Sequence, residues 1–303
     1  MNKLNVVVSL LTQDNDYQLE QAASAQSAAL KLGVDVQIVY ADNDAVLQTQ
    51  QILKFIQDSG RRPDAILAEP VGTSMEQIAR AAVRAGIGWG LINSNAEYLS
   101  QLRQGSVPVF SVVSDHETIG KIQGQQIAAL VGEHGNILYI EGPSVRDVAK
   151  LRTKGMMQTK PGGISVKTLK GDWTQQSGYN AVKSWLSLST SRQMKINLIA
   201  CQNDDMAIGA RRAFEELIEL QERDAWLQLP LTGCDGVPRA GQEWVRQKKL
   251  TATVVAPPLF GEAIHLLVKA LDSGSQPPER TSIAPSSYPE VKDLPRARAQ
   301  AAQ

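Results

Sequence analysis

A doubly wound α/β fold in two halves of similar size is predicted by three features of this 303-residue sequence. Short runs rich in Val, Ile and Leu alternate with helix-length amphipathic segments, the pattern of βαβ units around a parallel sheet. The same alternation restarts near the middle of the chain. Finally, the apolar runs end in polar residues and no Pro- or Ser-rich linker divides the halves, so direct strand-to-strand crossings are expected to join them.

In the first half, residues 5–11 form an apolar run centred on Val6-Val7-Val8, the mark of a strand buried on both faces. Residues 19–32 are Ala-rich and amphipathic and end at Gly33, a helix with its left-handed stop. Strand 34–40 follows, closed by Asp42-Asn43-Asp44, then helix 47–58, stopped by Ser59-Gly60. Strand 64–68, helix 74–85 with its stop at Gly86, and strands 88–92 and 108–113 complete this half. The second half opens with helix 117–131, strand 136–140 and helix 146–157, which ends before Pro161-Gly162-Gly163. Strands at 166–169, 197–200, 230–233 and 250–255 alternate with helices at 176–188, 204–216 and 241–247. Pro257-Pro258 precedes a last helix, 260–271, and the polar tail from Asp293 is expected to fray. Crossings placed at 114–116, 255–258 and 283–287 assign residues 1–115 with 257–284 to one Rossmann-like lobe and 116–256 with 285–303 to the other.

Composition narrows the function. Hydrophobic residues make up 43% and charged residues 20%, enough apolar material for globular cores. Lys plus Arg and Asp plus Glu are both 31, which excludes a broad basic footprint for nucleic acid or anionic lipid. No stretch is long enough to span a bilayer, and the run 6–11 is too short for a secretion signal, so a leader is not expected within this chain. His116, His134 and His265 are scattered, and Cys201 and Cys234 match no zinc pattern and are expected to be buried. Asp14-Asn15-Asp16 lacks the glycine and glutamate of a calcium loop, Gly72-Thr73-Ser74 is not a nucleophile elbow, and no Walker A or dinucleotide fingerprint follows a strand. Neither metal, cofactor nor enzymatic activity is predicted.

Ligands of open α/β sheets bind beyond the carboxyl ends of the strands. Those ends here carry Asp14-Asn15-Asp16-Tyr17, Glu69, Asn93-Ser94, Glu141, Trp173, Gln202-Asn203-Asp204 and Cys234-Asp235. Carboxylates and amides suit hydroxyl groups, and aromatic faces suit C–H patches, so the set fits a sugar or polyol pocket between the lobes. Any one Asp or Asn here also suits a turn or a helix N-cap, Asp204 most of all.

The segment Gln202-Asn203-Asp204-Asp205-Met206-Ala207-Ile208-Gly209-Ala210 and the turn Gly233-Cys234-Asp235-Gly236-Val237-Pro238 resemble two motifs of the type I periplasmic binding proteins, the class of ribose-binding protein and the lactose-repressor core. Ser114-Asp115, Gly171-Asp172-Trp173 and Leu250-Thr251-Ala252-Thr253-Val254 are further matches, and the resemblance covers nearly the whole chain. It implies that Tyr17 and Trp173 sandwich a ligand while Asn93, Asn203 and Asp235 bond its hydroxyls, with Asn15, Asp16, Ser94, Lys150 and Arg152 around them and hinges at Ser114, Asp115, Ala256 and Pro257. Three departures stand out. Asn93-Ser94 replaces the Asp-Arg of many sugar binders, Lys150 falls on an arginine position with Arg152 two residues on, and Ala256 replaces a frequent glutamine.

The resemblance further implies a non-enzymatic, monomeric solute-binding protein, periplasmic or otherwise extracytoplasmic, that closes on a monosaccharide or polyol and presents the closed form to an ABC permease or a sensor. A cytoplasmic ligand-sensing regulator is the other reading. No helix-turn-helix precedes the first strand, so that regulator needs a partner protein to touch DNA.

Overall fold

The computed structural model describes residues 3–295 apart from positions 59, 73, 74, 144–146, 190, 192 and 193. The expected helix starts at Ser74 and Arg146, and the tail beyond residue 295, lie outside the described residues. The chain divides into two compact units, Met1–Ser114 with Pro258–Ile283 and Asp115–Pro257 with Ala284–Gln303. Among the described residues no helix is long and apolar enough to cross a membrane.

Unit one contains β1 (Asn5–Leu10), α1 (Asp16–Leu32), β2 (Asp35–Tyr40), α2 (Ala45–Gln57), β3 (Ala65–Ala68), α3 (Glu76–Arg84), β4 (Gly88–Ile92), α4 (Tyr98–Leu102) and β5 (Val109–Ser114). Of the later elements, α11 (Phe260–Ser273) and β11 (Arg280–Ile283) belong here too. Its sheet has the order β11-β5-β4-β3-β1-β2, and every neighbouring pair is parallel. Alternate residues of β1 serve opposite faces. Val6, Val8 and Leu10 pack with Ala25 and Ala29 of α1 and with Phe260, Ile264 and Leu267 of α11, whereas Val7 packs with Ile52 of α2 and Ile78 of α3. Burial on both faces is why the strand reads as an unbroken apolar run, and each such Val or Ile contributes about 1.5–3 kcal/mol of transfer free energy. The returning helix is registered by α1, where Gln21 Oε1 accepts the main-chain N–H groups of Leu259 (2.7 Å) and Phe260 (3.3 Å).

Unit two contains α5 (His116–Val131), β6 (His134–Glu141), α6 (Asp147–Thr159), β7 (Gly163–Lys170), α7 (Gln175–Leu186), β8 (Leu198–Cys201), α8 (Asp204–Glu215), α9 (Leu220–Leu227), β9 (Leu231–Asp235), α10 (Gly241–Arg246), β10 (Ala252–Val255) and β12 (Ser286–Tyr288). The order is β12-β10-β9-β8-β6-β7, parallel except for the antiparallel edge strand β12. Leu138, Ile140 and Ile199 face α7 and α8, while Ile137, Tyr139 and Leu198 face α5 and α6. Gly120 and Gly124 of α5 and Gly155 of α6 let these helices touch backbone to backbone. A Cβ on Gly120 would fall 2.0 Å from the Arg152 carbonyl oxygen, and one on Gly155 2.0 Å from that of Glu117.

The structure adds four elements to those expected. Strands β11 and β12, Arg-Thr-Ser-Ile and Ser-Ser-Tyr, are sheet edges with no fully buried residue, so they carry no apolar run to read. Helix α4 is a single short turn. Helix α9 buries none of its residues fully and is anchored through Trp226, which stacks on Phe214 with ring centroids 4.9 Å apart. The tail differs as well. A 3-10 turn at Val291–Asp293 delivers Leu294, 4% exposed, into the core beside α5, so the chain is still docked one residue past Asp293.

Gly155→Ala is expected to push α6 off α5 and lower the unfolding free energy by about 1–3 kcal/mol, measured by urea denaturation, because close-packed backbone leaves no space for a methyl group.

Candidate functional site

In unit one the chain reverses its order of travel across the sheet between β1 and β3, the point where doubly wound sheets open a crevice at their carboxyl ends. Glu69 follows β3 and is 3% exposed. Its Oε2 accepts from Gln18 Nε2 (2.9 Å) and its Oε1 from Asn93 Nδ2 (2.9 Å), while Gln18 Oε1 accepts the Leu11 main-chain N–H (3.1 Å). Gln48 of α2 completes the floor, donating to the Glu69 carbonyl (2.8 Å) and Ser9 Oγ (3.0 Å) and accepting from Val71 N–H (2.8 Å). Asn93 follows β4 in the left-handed region, with φ 54°, and Ser94 beside it is half-buried.

Asn15, Asp16 and Tyr17, expected in a loop, instead open α1. Asn15 is its N-cap and accepts from the N–H groups of Tyr17 (2.9 Å) and Gln18 (3.2 Å), so its side-chain oxygen serves the helix. Tyr17 is buried, and burial raises the pKa of the half-buried Asp16.

In unit two the corresponding reversal lies between β6 and β8 and is bridged by Gln202. Its Oε1 accepts the Gly142 N–H (3.0 Å), and its Nε2 lies within donor range of Tyr139 Oη (3.1 Å), Thr153 Oγ1 (2.9 Å) and the Ala149 carbonyl (2.9 Å). Glu141, at the end of β6, accepts from Thr153 Oγ1 (2.7 Å) and from Lys170 Nζ. Arg152 rises from α6, its side chain 6% exposed, and donates to the Gln202 carbonyl. Its other Nη lies 3.7 Å from Asp235 Oδ1, and its guanidinium carbon 5.5 Å from the centre of the Trp173 ring. The indole lies against Gly142, where a Cβ would fall 2.1 Å from a ring carbon. Glycine at 142 is therefore what makes room for Trp173.

Among the described residues, six non-glycine positions have left-handed backbone, and Asn93, Trp173 and Asp235 are three of them. Such a conformation costs about 1–3 kcal/mol for a residue other than glycine and persists where surrounding contacts enforce it. Those contacts are visible in unit two. Asn203 caps α8 by accepting from Met206 N–H (2.9 Å) and donates Nδ2 to the Trp173 carbonyl (2.8 Å). Asp204, 4% exposed, accepts from Gly236 N–H (2.8 Å), directly after Asp235, and from Thr253 Oγ1 (2.7 Å). Gly233 and Gly241 give its carboxylate room, since a Cβ on either would lie within 2.1 Å of it. Burial, then the charge of Asp235, holds the Asp204 carboxyl well above the usual range.

Four sequence expectations change. Lys150 is not brought to this cluster; its side chain is 62% exposed on α6 and reaches Asp147 at 3.9 Å, so the cation of this segment beside Asp235 is the Arg152 guanidinium. Asn15 is a helix cap, and Asn203 spends its side chain on α8 and on Trp173. Asp204, the residue that most suits a cap, is instead the buried acceptor that fixes the turn after Asp235. Both cysteines are free and buried, with burial raising the pKa of each thiol. Ser114, Asp115, Ala256 and Pro257 lie where the chain passes between units. Asp115 caps α5 by accepting from Thr118 N–H (2.9 Å), and Ala256 N–H donates to the Asp235 carbonyl (3.0 Å). Glu69, Glu141 and Gln202, three of the strand-end residues, are joined in these clusters by Gln18, Gln48 and Thr153, which lie on helices; the available signal for the first two is a glutamine on the buried face of α1 and of α2.

The Asp204 pKa rises on folding, so the folded state holds its proton more tightly. Its favourable contribution is complete below pH 3.8 and is lost as pH climbs through the folded-state value. Asp204→Asn removes that titration, so the variant is expected to gain stability relative to wild type from about pH 4 upward, measured by urea unfolding across pH; a difference flat in pH contradicts the assignment.

A family model described as a periplasmic binding protein domain matches residues 6–275. A galactofuranose-binding protein of Escherichia coli is 24% identical over 291 residues, 94% of this chain and 87% of that protein. A ribose import binding protein of Salmonella typhimurium is 24% identical over 266 residues, 85% of this chain and 81% of its own length. Among solved structures, a periplasmic solute-binding protein from Actinobacillus succinogenes with bound D-allose superposes with a TM-score of 0.81 at 21% identity, covering 96% of this chain and 100% of that one, which shows a shared fold. With the family model spanning most of the chain, with both sheets doubly wound and their carboxyl ends lined by polar and aromatic side chains, the chain belongs to the periplasmic binding protein family.

Proposed function

We propose that the chain is a solute-binding protein that captures a monosaccharide or related polyol outside the cytoplasm, for uptake through an ABC-type permease or for sensing. The observation that carries this reading is the Trp173, Arg152 and Asp235 cluster of unit two: an indole face, a guanidinium and a carboxylate, all held by buried contacts. An indole accepts the C–H face of a sugar ring, and a carboxylate takes hydroxyl donors with charge-assisted strength. Because Arg152 balances the charge of Asp235, a ligand here needs no net charge. Relatives named as galactofuranose-, ribose-, xylitol- and D-apiose-binding proteins support the same class.

In this reading Asp16, Tyr17, Asn93 and Ser94 are the ligand contacts that unit one supplies, and Trp173, Arg152 and Asp235 those that unit two supplies, while Asn15 and Asn203 hold their neighbours in place. Ser114, Asp115, Ala256 and Pro257 lie in the segments that turn when ligand closes the protein, since a few residues at such passages absorb a domain rotation.

Titration calorimetry against D-ribose, D-allose, D-galactose, L-arabinose, xylitol and myo-inositol, with nucleosides and amino acids as controls, tests the proposal. Binding of a sugar or polyol is expected. Trp173→Ala is expected to weaken it about tenfold and Asp235→Ala by about ten- to a hundredfold, from loss of a stacking face and of a charged hydrogen bond. Silence toward every sugar and polyol contradicts the ligand class, and unchanged affinity in both variants contradicts the site.

A further inference from the structure

We propose that the buried series Gln123, Tyr139 and Gln202 is a positioning element for the stacking face of Trp173, setting the plane of the indole at one end and the Trp173 main chain at the other. It rests on the reading that Trp173 meets the ligand.

All three side chains are fully shielded from water. Their order is fixed at both ends by main-chain groups that act in one sense only. The Cys201 carbonyl can only accept, so Gln123 turns its nitrogen to it at 2.8 Å and leaves its oxygen 3.1 Å from Tyr139 Oη. The Gly142 N–H can only donate, so Gln202 turns its oxygen to it at 3.0 Å and leaves its nitrogen 3.1 Å from the same hydroxyl. Tyr139 therefore gives its one proton to Gln123 and accepts from Gln202. Burial pushes the Tyr139 pKa well up, so that proton stays on the hydroxyl.

Both ends of the series bear on Trp173. Gly142 lies against the six-membered ring of the indole, where a Cβ would fall 2.1, 2.2 and 2.5 Å from Cζ2, Cη2 and Cε2. Cys201 comes two residues before Asn203, whose Nδ2 donates to the Trp173 carbonyl at 2.8 Å and so braces a left-handed backbone with φ 75°. A shift at either end tilts the indole relative to its own main chain. Polar side chains in a core carry a desolvation cost that only hydrogen bonding offsets, and a connected network of them specifies one geometry. Here the geometry specified is that of the indole.

The test is Tyr139→Phe, which keeps the ring in the core and removes the middle hydroxyl, with Gln123→Met as a second break in the series. Ile164→Ala, a buried position at the far end of β7 from Trp173, controls for lost stability. Trp173 is followed by 19F NMR of protein labelled with 5-fluorotryptophan, its resonance among the five tryptophans assigned with Trp173→Phe. Dissociation constants for the best ligand among D-ribose, D-allose, xylitol and myo-inositol are measured beside thermal midpoints, in the wild-type and in the Trp173→Ala background. Tyr139→Phe and Gln123→Met are expected to move the Trp173 resonance and to weaken binding about three- to tenfold, and to change affinity by less than about twofold once Trp173 is replaced. Ile164→Ala is expected to lower the midpoint and leave resonance and affinity in place. A Trp173 resonance unmoved by both breaks, or moved equally by Ile164→Ala, overturns the positioning role, and an equal loss of affinity in the two backgrounds overturns its action through Trp173. If no panel member binds wild type, the functional reading fails by itself, and the Trp173 resonance still decides the positioning.

Discussion

A parallel sheet covered by helices on both faces ends in diverging loops whose main-chain groups are shut off from water, and each must find a partner. In both units one glutamine side chain meets this demand at the point where the chain reverses direction across the sheet. Gln18 joins the main chain after β1 to Glu69 after β3, and Gln202 joins the main chain after β6 to the start of α8 and to α6. An amide suits the task because it donates at one end and accepts at the other, so it closes the gap without adding charge. In unit one Asn93 leans on Glu69 and so on the Gln18 bridge, and in unit two Arg152 donates to the carbonyl of Gln202 itself.

Much of this organisation was legible before any coordinates. Strands with both faces buried announce themselves as apolar runs, so β1, β3, β4, β5 and the inner strands of unit two stood out, as did helices closed by Gly33 and Gly86. Elements with no fully buried residue had no such signal, which is why β11, β12 and α9 surfaced only in three dimensions. At the candidate site the residue types were visible but not their duties. An Asn after a strand looks the same whether it caps a helix, as Asn15 and Asn203 do, or leans on a carboxylate, as Asn93 does. Nor does spacing along a helix say which of Lys150 and Arg152 turns inward. That follows from α6 lying against α5 through Gly155 and Gly120, which fixes the face α6 presents to the core.

The energetics of unit two show a preference for fixed geometry over maximal stability. A tryptophan and an aspartate are held with left-handed backbone, a guanidinium and a carboxylate are buried together, and a second carboxyl group is buried behind them. Each is unfavourable alone, and a buried ion pair is seldom more stabilising than the apolar side chains that could replace it. What these features provide is preorganisation: side chains already locked by neighbours lose little further freedom when a ligand arrives.

The hydrogen bond from Ala256 to the Asp235 carbonyl bears on how force moves through unit two. Asp235 is tied by its own main chain to the residue that leads into Pro257 and Pro258. Two consecutive prolines fix two φ angles, and each restricts the residue before it, so this stretch of chain behaves as a stiff strut with little slack. Residues 256–258 therefore form a stretch of chain with little slack directly behind Asp235, in contrast to Ser114-Asp115, which no proline adjoins; at the third passage Pro285 restricts Ala284 in the same way.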